Sequence, residues 1–222
     1  GNLRKLAKMG YQGVEFAGYY DLPPATLRKM LDDCGLRCAG SHTGFQTLEG
    51  DAFDKTIAMN KALGTDRLII PSLDLKEFPK SVERMNDAYR RAKACGMRAG
   101  FHNHHREFDK LDGKSYFDRI FEQTPKDFLV QLDIGWAAAA GQDVAAILRK
   151  YAGRLETVHV KEFKTNDRKA AVGEGEVKWP ALFDIMEKET AVQWYIVEQE
   201  DYNIGPMESA QTCIDNIHKM GR

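Results

Sequence analysis

Residues 128–163 read FLVQLDIGWAAAAGQDVAAILRKYAGRLETVHVKEF, and they hold one complete repeating unit. An apolar run, Phe128–Asp133, leads to an amphipathic segment, Val144–Tyr151, and then past Gly153 to a β-branched run, Thr157–Lys161. Strand, helix and strand within about 30 residues make a βαβ unit, whose two strands must lie parallel. The cadence of helix, glycine, short link and apolar strand recurs as CGLRCAG from Cys34, LGTDRLII from Leu63, CGMRAGF from Cys95 and AGRLETVHV from Ala152. Gly35, Gly64, Gly96 and Gly153 are each expected to end a helix in the left-handed conformation.

Extended outward, the pattern predicts strands at Gly13–Ala17, Arg37–Ser41, Arg67–Pro71, Arg98–His102, Phe128–Asp133, Thr157–Lys161 and Trp194–Glu198. Helical stretches lie between them at Leu22–Cys34, Asp51–Leu63, Phe78–Cys95, Ser115–Gln123, Val144–Tyr151 and Trp179–Lys188. Seven strands are one short of a closed barrel of this kind. A helix, Asn2–Met9, precedes the first of them, as though a crossover followed an earlier strand. The expected fold is a (β/α)8 TIM barrel lacking its first strand, a single domain over residues 1–222. An open seven-stranded sheet is the alternative.

Composition narrows the function. Of 222 residues 43% are hydrophobic, enough to bury one substantial core, and no Pro/Gly/Ser-rich linker divides the chain. The 32 basic and 33 acidic residues leave a net charge of −1, which provides no footprint for a nucleic-acid backbone or an anionic membrane. No apolar run is long enough to span a bilayer, and the opening GNLRKLAKMG does not read as a signal peptide. The four cysteines show no C-x-x-C spacing, so a reducing, cytoplasmic location is expected.

Chemistry gathers at the strand ends. Glu15, His42, His102 with His104 and Glu107, Asp133, His159 with Lys161, and Glu198 follow runs that are otherwise mostly apolar. In a parallel barrel the C-terminal strand ends build the active site. Strand alternation puts Gln131 with Asp133, His159 with Lys161, Ile196 with Glu198, and Gly100 with His102 and His104. Asp133, His159 and Glu198, if inward, offer oxygen, nitrogen and oxygen from three consecutive strands about 4.8 Å apart. Such a mixture suits Mn²⁺, Co²⁺, Zn²⁺, Fe²⁺ or Ni²⁺ better than Ca²⁺.

The segments VEFAGYYD, SHTGF, FHNHHREF, QLDIGW, HVKEFK and VGEGEVKWP, in that order, resemble the sugar phosphate isomerase/epimerase family of xylose isomerase-like barrels. That superfamily also holds inosose dehydratases, ketose 3-epimerases and endonuclease IV repair enzymes. The resemblance implies a divalent metal (Mn, Co, Zn, Fe or Mg) held by Asp133, His159, Glu198 and a ligand from the preceding strand. Many members read Glu-Asn-His there, whereas this chain reads His102-Asn103-His104. Position and parity favour His102 as that ligand, and the habit of two carboxylates favours Glu107.

The resemblance further implies proton abstraction beside a carbonyl through an enediolate, on a ketose, inosose or keto-glycoside. Glu198 serves there as ligand and base, Glu107 or His102 stands opposite, and Lys161 steadies the oxyanion. Glu15, His42, His104 and Trp136 are expected to bind substrate, with Trp136, Phe45 and Tyr19 as stacking surfaces. The Gly173-Glu174-Gly175-Glu176 loop resembles the family's G-x-G turn, and no arginine or lysine cluster suggests a phosphate subsite. A small carbohydrate is the expected partner, a homo-oligomer is compatible with the sequence, and neither nucleic acid nor membrane is expected. The competing readings are a non-catalytic sugar-binding barrel and an endonuclease IV-like enzyme, the latter opposed by the charge balance.

Overall fold

The computed structural model describes residues Gly1 to Arg222. Helix α1 (Asn2–Met9) leads into β1 (Gly13–Ala17), α2 (Pro24–Asp32), β2 (Arg37–His42), α3 (Ala52–Leu63), β3 (Arg67–Ile70), α4 (Phe78–Ala94) and β4 (Arg98–His102). A small hairpin, β5 (Lys110–Leu111) and β6 (Lys114–Ser115), precedes α5 (Tyr116–Gln123) and β7 (Leu129–Asp133). The chain continues through α6 (Ile134–Ala139), α7 (Val144–Lys150), β8 (Leu155–Val160), α8 (Trp179–Glu189), β9 (Trp194–Val197) and α9 (Pro206–Lys219).

Seven strands pair in the order β1-β2-β3-β4-β7-β8-β9, every pair parallel. Sequential order with no switch point makes a barrel wall, and side-chain bonds across the interior close it. Gln131 on β7 and His159 on β8 both reach Glu15 on β1, at 2.8 and 2.7 Å. The fold is a TIM barrel, nearly closed, with helices around it. Between β1 and β9 there is no ladder. The Trp194 indole packs on Gly13 instead, where a Cβ would come within 2.8 Å of the ring. The alternative of an open seven-stranded sheet is thereby excluded, and the expected barrel is found.

Burial follows position in the wall. All residues of β3 and β7 are buried, whereas β9 is half-buried throughout. Most of the apolar core lies between sheet and helices, with Phe101, Phe117, Phe128, Trp179 and Phe183 nearly inaccessible. Burying each such side chain is worth about 1.5–3 kcal/mol. The N-terminal end of the barrel is plugged by charge. Arg67 donates to Glu156 at 2.8 Å and to Gln193 at 2.6 Å, and Arg98 bridges Glu156 to Asp66. Conserving the opposite end for chemistry is the usual division of labour in this fold.

The predicted elements sit within a few residues of those found, with three differences. Gly153 does not take the left-handed conformation; it lies in a 3₁₀ turn, Ala152–Arg154, while Gly35, Gly64 and Gly96 have φ of 66°, 78° and 72°. Helix α6 starts directly where β7 stops, because the Asp133 side chain accepts from the Trp136 amide at 2.7 Å and so caps it. Helix α9 covers the β1–β9 gap together with α1, and a cavity of about 260 Å³ remains beneath them. No helix is long and apolar enough to cross a membrane.

Candidate metal centre

Register brings the donors together. His102 pairs with Gln131, Asp133 pairs with His159, and Glu198 stands two residues beyond Ile196, the partner of His159. The staggered strands therefore place His102, Asp133, His159 and Glu198 so that one donor atom from each lies within 4.8 Å of the others. His102, Asp133 and His159 are buried, and Glu198, with a quarter of its side chain exposed, is the accessible member.

Two polar atoms of these residues have no partner in the protein. His102 Nδ1 and Asp133 Oδ2 are buried and make no hydrogen bond. An unpaired buried polar atom costs about 1–3 kcal/mol, and two of them on residues of one group are hard to explain by packing. A divalent cation would satisfy both, with the two carboxylates balancing its charge. The donors present fit a metal.

The supporting contacts fix how each donor is held. His159 Nδ1 faces Glu198 and lies 3.9 Å from Asp133 Oδ2, while His159 Nε2 donates to Glu15 Oε2 at 2.7 Å. Glu15 Oε1 accepts from Gln131 Nε2 at 2.8 Å, and its other oxygen lies 3.2 Å from His42 Nε2. Asn103, fully buried, clamps β4 to β7 by accepting from the Asp133 amide at 3.0 Å and donating to the Asp133 carbonyl at 3.3 Å. Contacts of this kind orient the ligands in metal sites.

The electrostatics of the group express the crowding of acids and imidazoles. Burial, aided by the neighbouring Glu198, raises the Asp133 carboxyl above its ordinary value. Burial opposes charge on His159 as well, but bonds to Glu15 and Glu198 outweigh it and raise the imidazole. For Glu15 and Glu198 burial again opposes the charged form, and the bonds to His159 win, lowering both carboxyls. His102 is pushed well down by burial and by His159 and His42, so it remains a neutral imidazole. A neutral imidazole is the form that ligates.

The other expected site residues are distributed around this centre. Glu107 does not join the group. Its Oε2 accepts from the His104 amide at 2.8 Å in a tight 3₁₀ turn, Arg106–Phe108, so local geometry turns the carboxylate back onto its own loop. His102 takes its place among the grouped donors. Glu15 is directed at His159 rather than at open space, and the His42 ring stacks on His159 at 5.2 Å with Nε2 against Gln131 at 2.8 Å. Tyr19 bonds Ser41 and Asn60, and Phe45 is covered by Arg84.

Beside Glu198 opens a cavity of about 320 Å³, with Trp136, Lys161, Arg168 and Glu200 among its walls. Lys161 Nζ lies 3.2 Å from Glu200 and 4.0 Å from Glu198 but forms no directed hydrogen bond with either. Trp136 Nε1 is also buried and unpartnered. The indole is not a bare stacking face. Lys161 and Arg168 sit over it at 5.0 and 5.5 Å, and the His104 and His105 rings approach to 5.9 and 5.3 Å.

The Gly173–Glu176 loop cradles an anion of its own. Glu162 accepts from the Gly173 amide and the Trp179 indole, each at 2.7 Å, and from the Val177 amide at 3.2 Å. At Gly175 any Cβ would collide with Glu162 and the Phe163 carbonyl, which accounts for the glycine. Sequence reasoning gave no role to Asn103, Gln131 or Glu162. For Gln131 the signal was available, since it shares the inward face with Asp133 and is polar in an apolar strand.

A family profile described as xylose isomerase-like TIM barrel matches residues 3–219. The chain belongs to that family. It is 22% identical over 263 aligned residues to an inosose dehydratase of Mesomycoplasma hyopneumoniae, covering 98% of this chain and 87% of the relative. It is also 22% identical over 262 residues to the rhizopine catabolism protein MocC of Rhizobium meliloti, covering 98% and 80%. Among solved structures, a sugar phosphate isomerase/epimerase from Parabacteroides distasonis superposes with a TM-score of 0.83 at 25% identity, covering 96% of this chain and 85% of that one.

Proposed function

We propose that this family member is a divalent-metal-dependent enzyme of the isomerase, epimerase or lyase kind, acting on a small carbohydrate by removing a proton beside a carbonyl. The observations that carry this are that His102, Asp133, His159 and Glu198 bring one donor atom each within 4.8 Å of one another, and that His102 Nδ1 and Asp133 Oδ2 are buried and unpartnered. The names of two proteins similar to this chain, an inosose dehydratase and a sugar phosphate isomerase/epimerase, support this reading.

His102, Asp133, His159 and Glu198 would hold the ion. When bound, it supplies Lewis acidity that polarises a substrate carbonyl and acidifies the adjacent C–H. Glu198 is the carboxylate exposed to the cavity, and its Oε1 is the atom to which the proton moves. Lys161, lacking a directed partner, places an ammonium where negative charge develops on oxygen. Glu15, Gln131 and Asn103 keep His159 and Asp133 in place. Because Lys161 and Arg168 occupy the indole, the substrate ring lies in the cavity between Trp136 and Glu198 and meets donors rather than an aromatic face.

The test is a screen of inososes, 3-keto-glycosides and ketoses in deuterated water with metal-loaded protein. Deuterium should enter the carbon beside the carbonyl of at least one class, and Asp133→Ala should abolish it. A protein that binds no divalent ion and exchanges no C–H proton would refute the proposal. Binding of sugar without exchange would assign a non-catalytic barrel.

A further inference from the structure

The grouped donors are two imidazoles and two carboxylates, and that ratio has consequences for which ion they select. Mg²⁺ and Ca²⁺ are hard ions with oxygen shells, and Mg²⁺ in particular keeps several waters because it dehydrates reluctantly. Three of these donors are buried, with His102, Asp133 and His159 at 1%, 0% and 3% exposure, and Glu198 is the member of the four most open to water. An ion here must exchange most of its hydration for nitrogen as well as oxygen. Imidazole suits zinc, cobalt, iron and nickel, whose affinity for such donors exceeds that of manganese.

His102 is the member that decides the matter. A glutamate there would give three carboxylates and one imidazole, an anionic set better suited to hard ions. His102 leaves a neutral centre once a divalent ion is in place, and its Nδ1 has no competing partner in the protein. We infer that His102 makes this centre selective for borderline ions of the Zn²⁺, Co²⁺, Fe²⁺ and Ni²⁺ class, and that it discriminates against Mg²⁺ and Ca²⁺. This rests on the proposal that the four residues hold a metal, and it specifies which class.

The experiment titrates the metal-free full chain with Zn²⁺, Co²⁺, Mn²⁺ and Mg²⁺ by calorimetry, and follows Co²⁺ by its visible absorption. His102→Glu, His102→Gln and Asp133→Ala are run alongside, with circular dichroism reporting that each is folded. The parent should favour Zn²⁺ and Co²⁺ over Mg²⁺ by roughly a hundredfold or more. His102→Glu should narrow that ratio at least about tenfold, and His102→Gln should change the Co²⁺ spectrum, since one nitrogen leaves the shell. Should His102→Glu fail to fold, the spectrum of the neutral His102→Gln variant decides: an unchanged spectrum overturns the assignment. Equal affinity of the parent for Zn²⁺ and Mg²⁺, or an unaltered ratio in folded His102→Glu, also overturns it. If Asp133→Ala still abolishes binding in those cases, the metal centre itself stands. Failure of the parent to bind any of the four ions removes both.

Discussion

Replacing Glu15 by glutamine separates two roles for a strand-end carboxylate. The strand-end pattern assigns Glu15 to substrate, whereas its oxygens are taken up by His159 at 2.7 Å and Gln131 at 2.8 Å, with His42 at 3.2 Å. Each of these neighbours offers it a donor. Glutamine keeps the shape of the side chain but has one accepting oxygen and a donating amide, so at least one N–H···N–H clash replaces a bond. Leaving a buried donor unsatisfied costs about 1–3 kcal/mol of stability.

The larger consequence is for the metal. Glu15 accepts the Nε2 proton of His159, which directs Nδ1 toward Asp133 and Glu198 and makes the imidazole a better donor. Loss of such a supporting carboxylate typically lowers metal affinity about 10–100-fold, which is about 1.4–2.7 kcal/mol. A competition titration of Zn²⁺ or Co²⁺ against a chromophoric chelator, on parent and Glu15→Gln, reads this directly. KM for an active substrate at saturating metal reads the alternative. Weaker metal binding with KM unchanged fits a positioning role. Metal affinity within about twofold of the parent would refute it, and a rise in KM alone would restore Glu15 to the substrate.

Asp133→Ala should eliminate metal uptake measured by calorimetry. The same variant should cost only about 1 kcal/mol of stability by denaturant titration, the value of the lost cap on the Trp136 amide. Raised values for Asp133 and His159 mean that the folded, metal-free protein keeps protons the unfolded chain releases. That stability is complete below the ordinary carboxylate and imidazole values and is lost as pH rises through the raised ones. Glu15 and Glu198, being lowered, contribute above the ordinary carboxylate value and fail as pH falls. The thermal midpoint in chelator should therefore peak at mildly acidic pH and decline toward alkaline pH, less steeply in Asp133→Asn; a midpoint that climbs with pH contradicts the assignment. At the other end of the barrel, Glu156→Ala strands Arg67, whose side chain is 10% exposed, and should cost about 3 kcal/mol in urea unfolding. A loss under about 1 kcal/mol would show that water or Gln193 compensates.

Much of the fold was legible because parallel β/α repeats leave local marks. Apolar runs of strand length, glycines after helices, and α4 over Phe78–Ala94 all follow from periodicity and caps. What local pattern missed is also physical. Helix α6 was hidden because Asp133 ends a strand and caps a helix at once, and alanine-rich WAAAA carries little amphipathic signal. Gly153 was misassigned because a 3₁₀ turn also ends a helix without positive φ.

The strand-end chemistry was legible for the same reason: alternation puts Asp133, His159 and Glu198 on inward faces whatever the barrel's dimensions. The choice between His102 and Glu107 was not. Five residues separate them in sequence, and only the turn at Arg106–Phe108, which spends the Glu107 carboxylate on the His104 amide, excludes one from the group. Nor could alternation tell that Glu15 meets His159 across the interior, since β1 and β8 are 144 residues apart at that contact. Sequence alone determined which side chains point inward, because strand periodicity is a property of each segment. Which of them meet was decided by tertiary structure, because register, stagger and closure belong to the whole barrel.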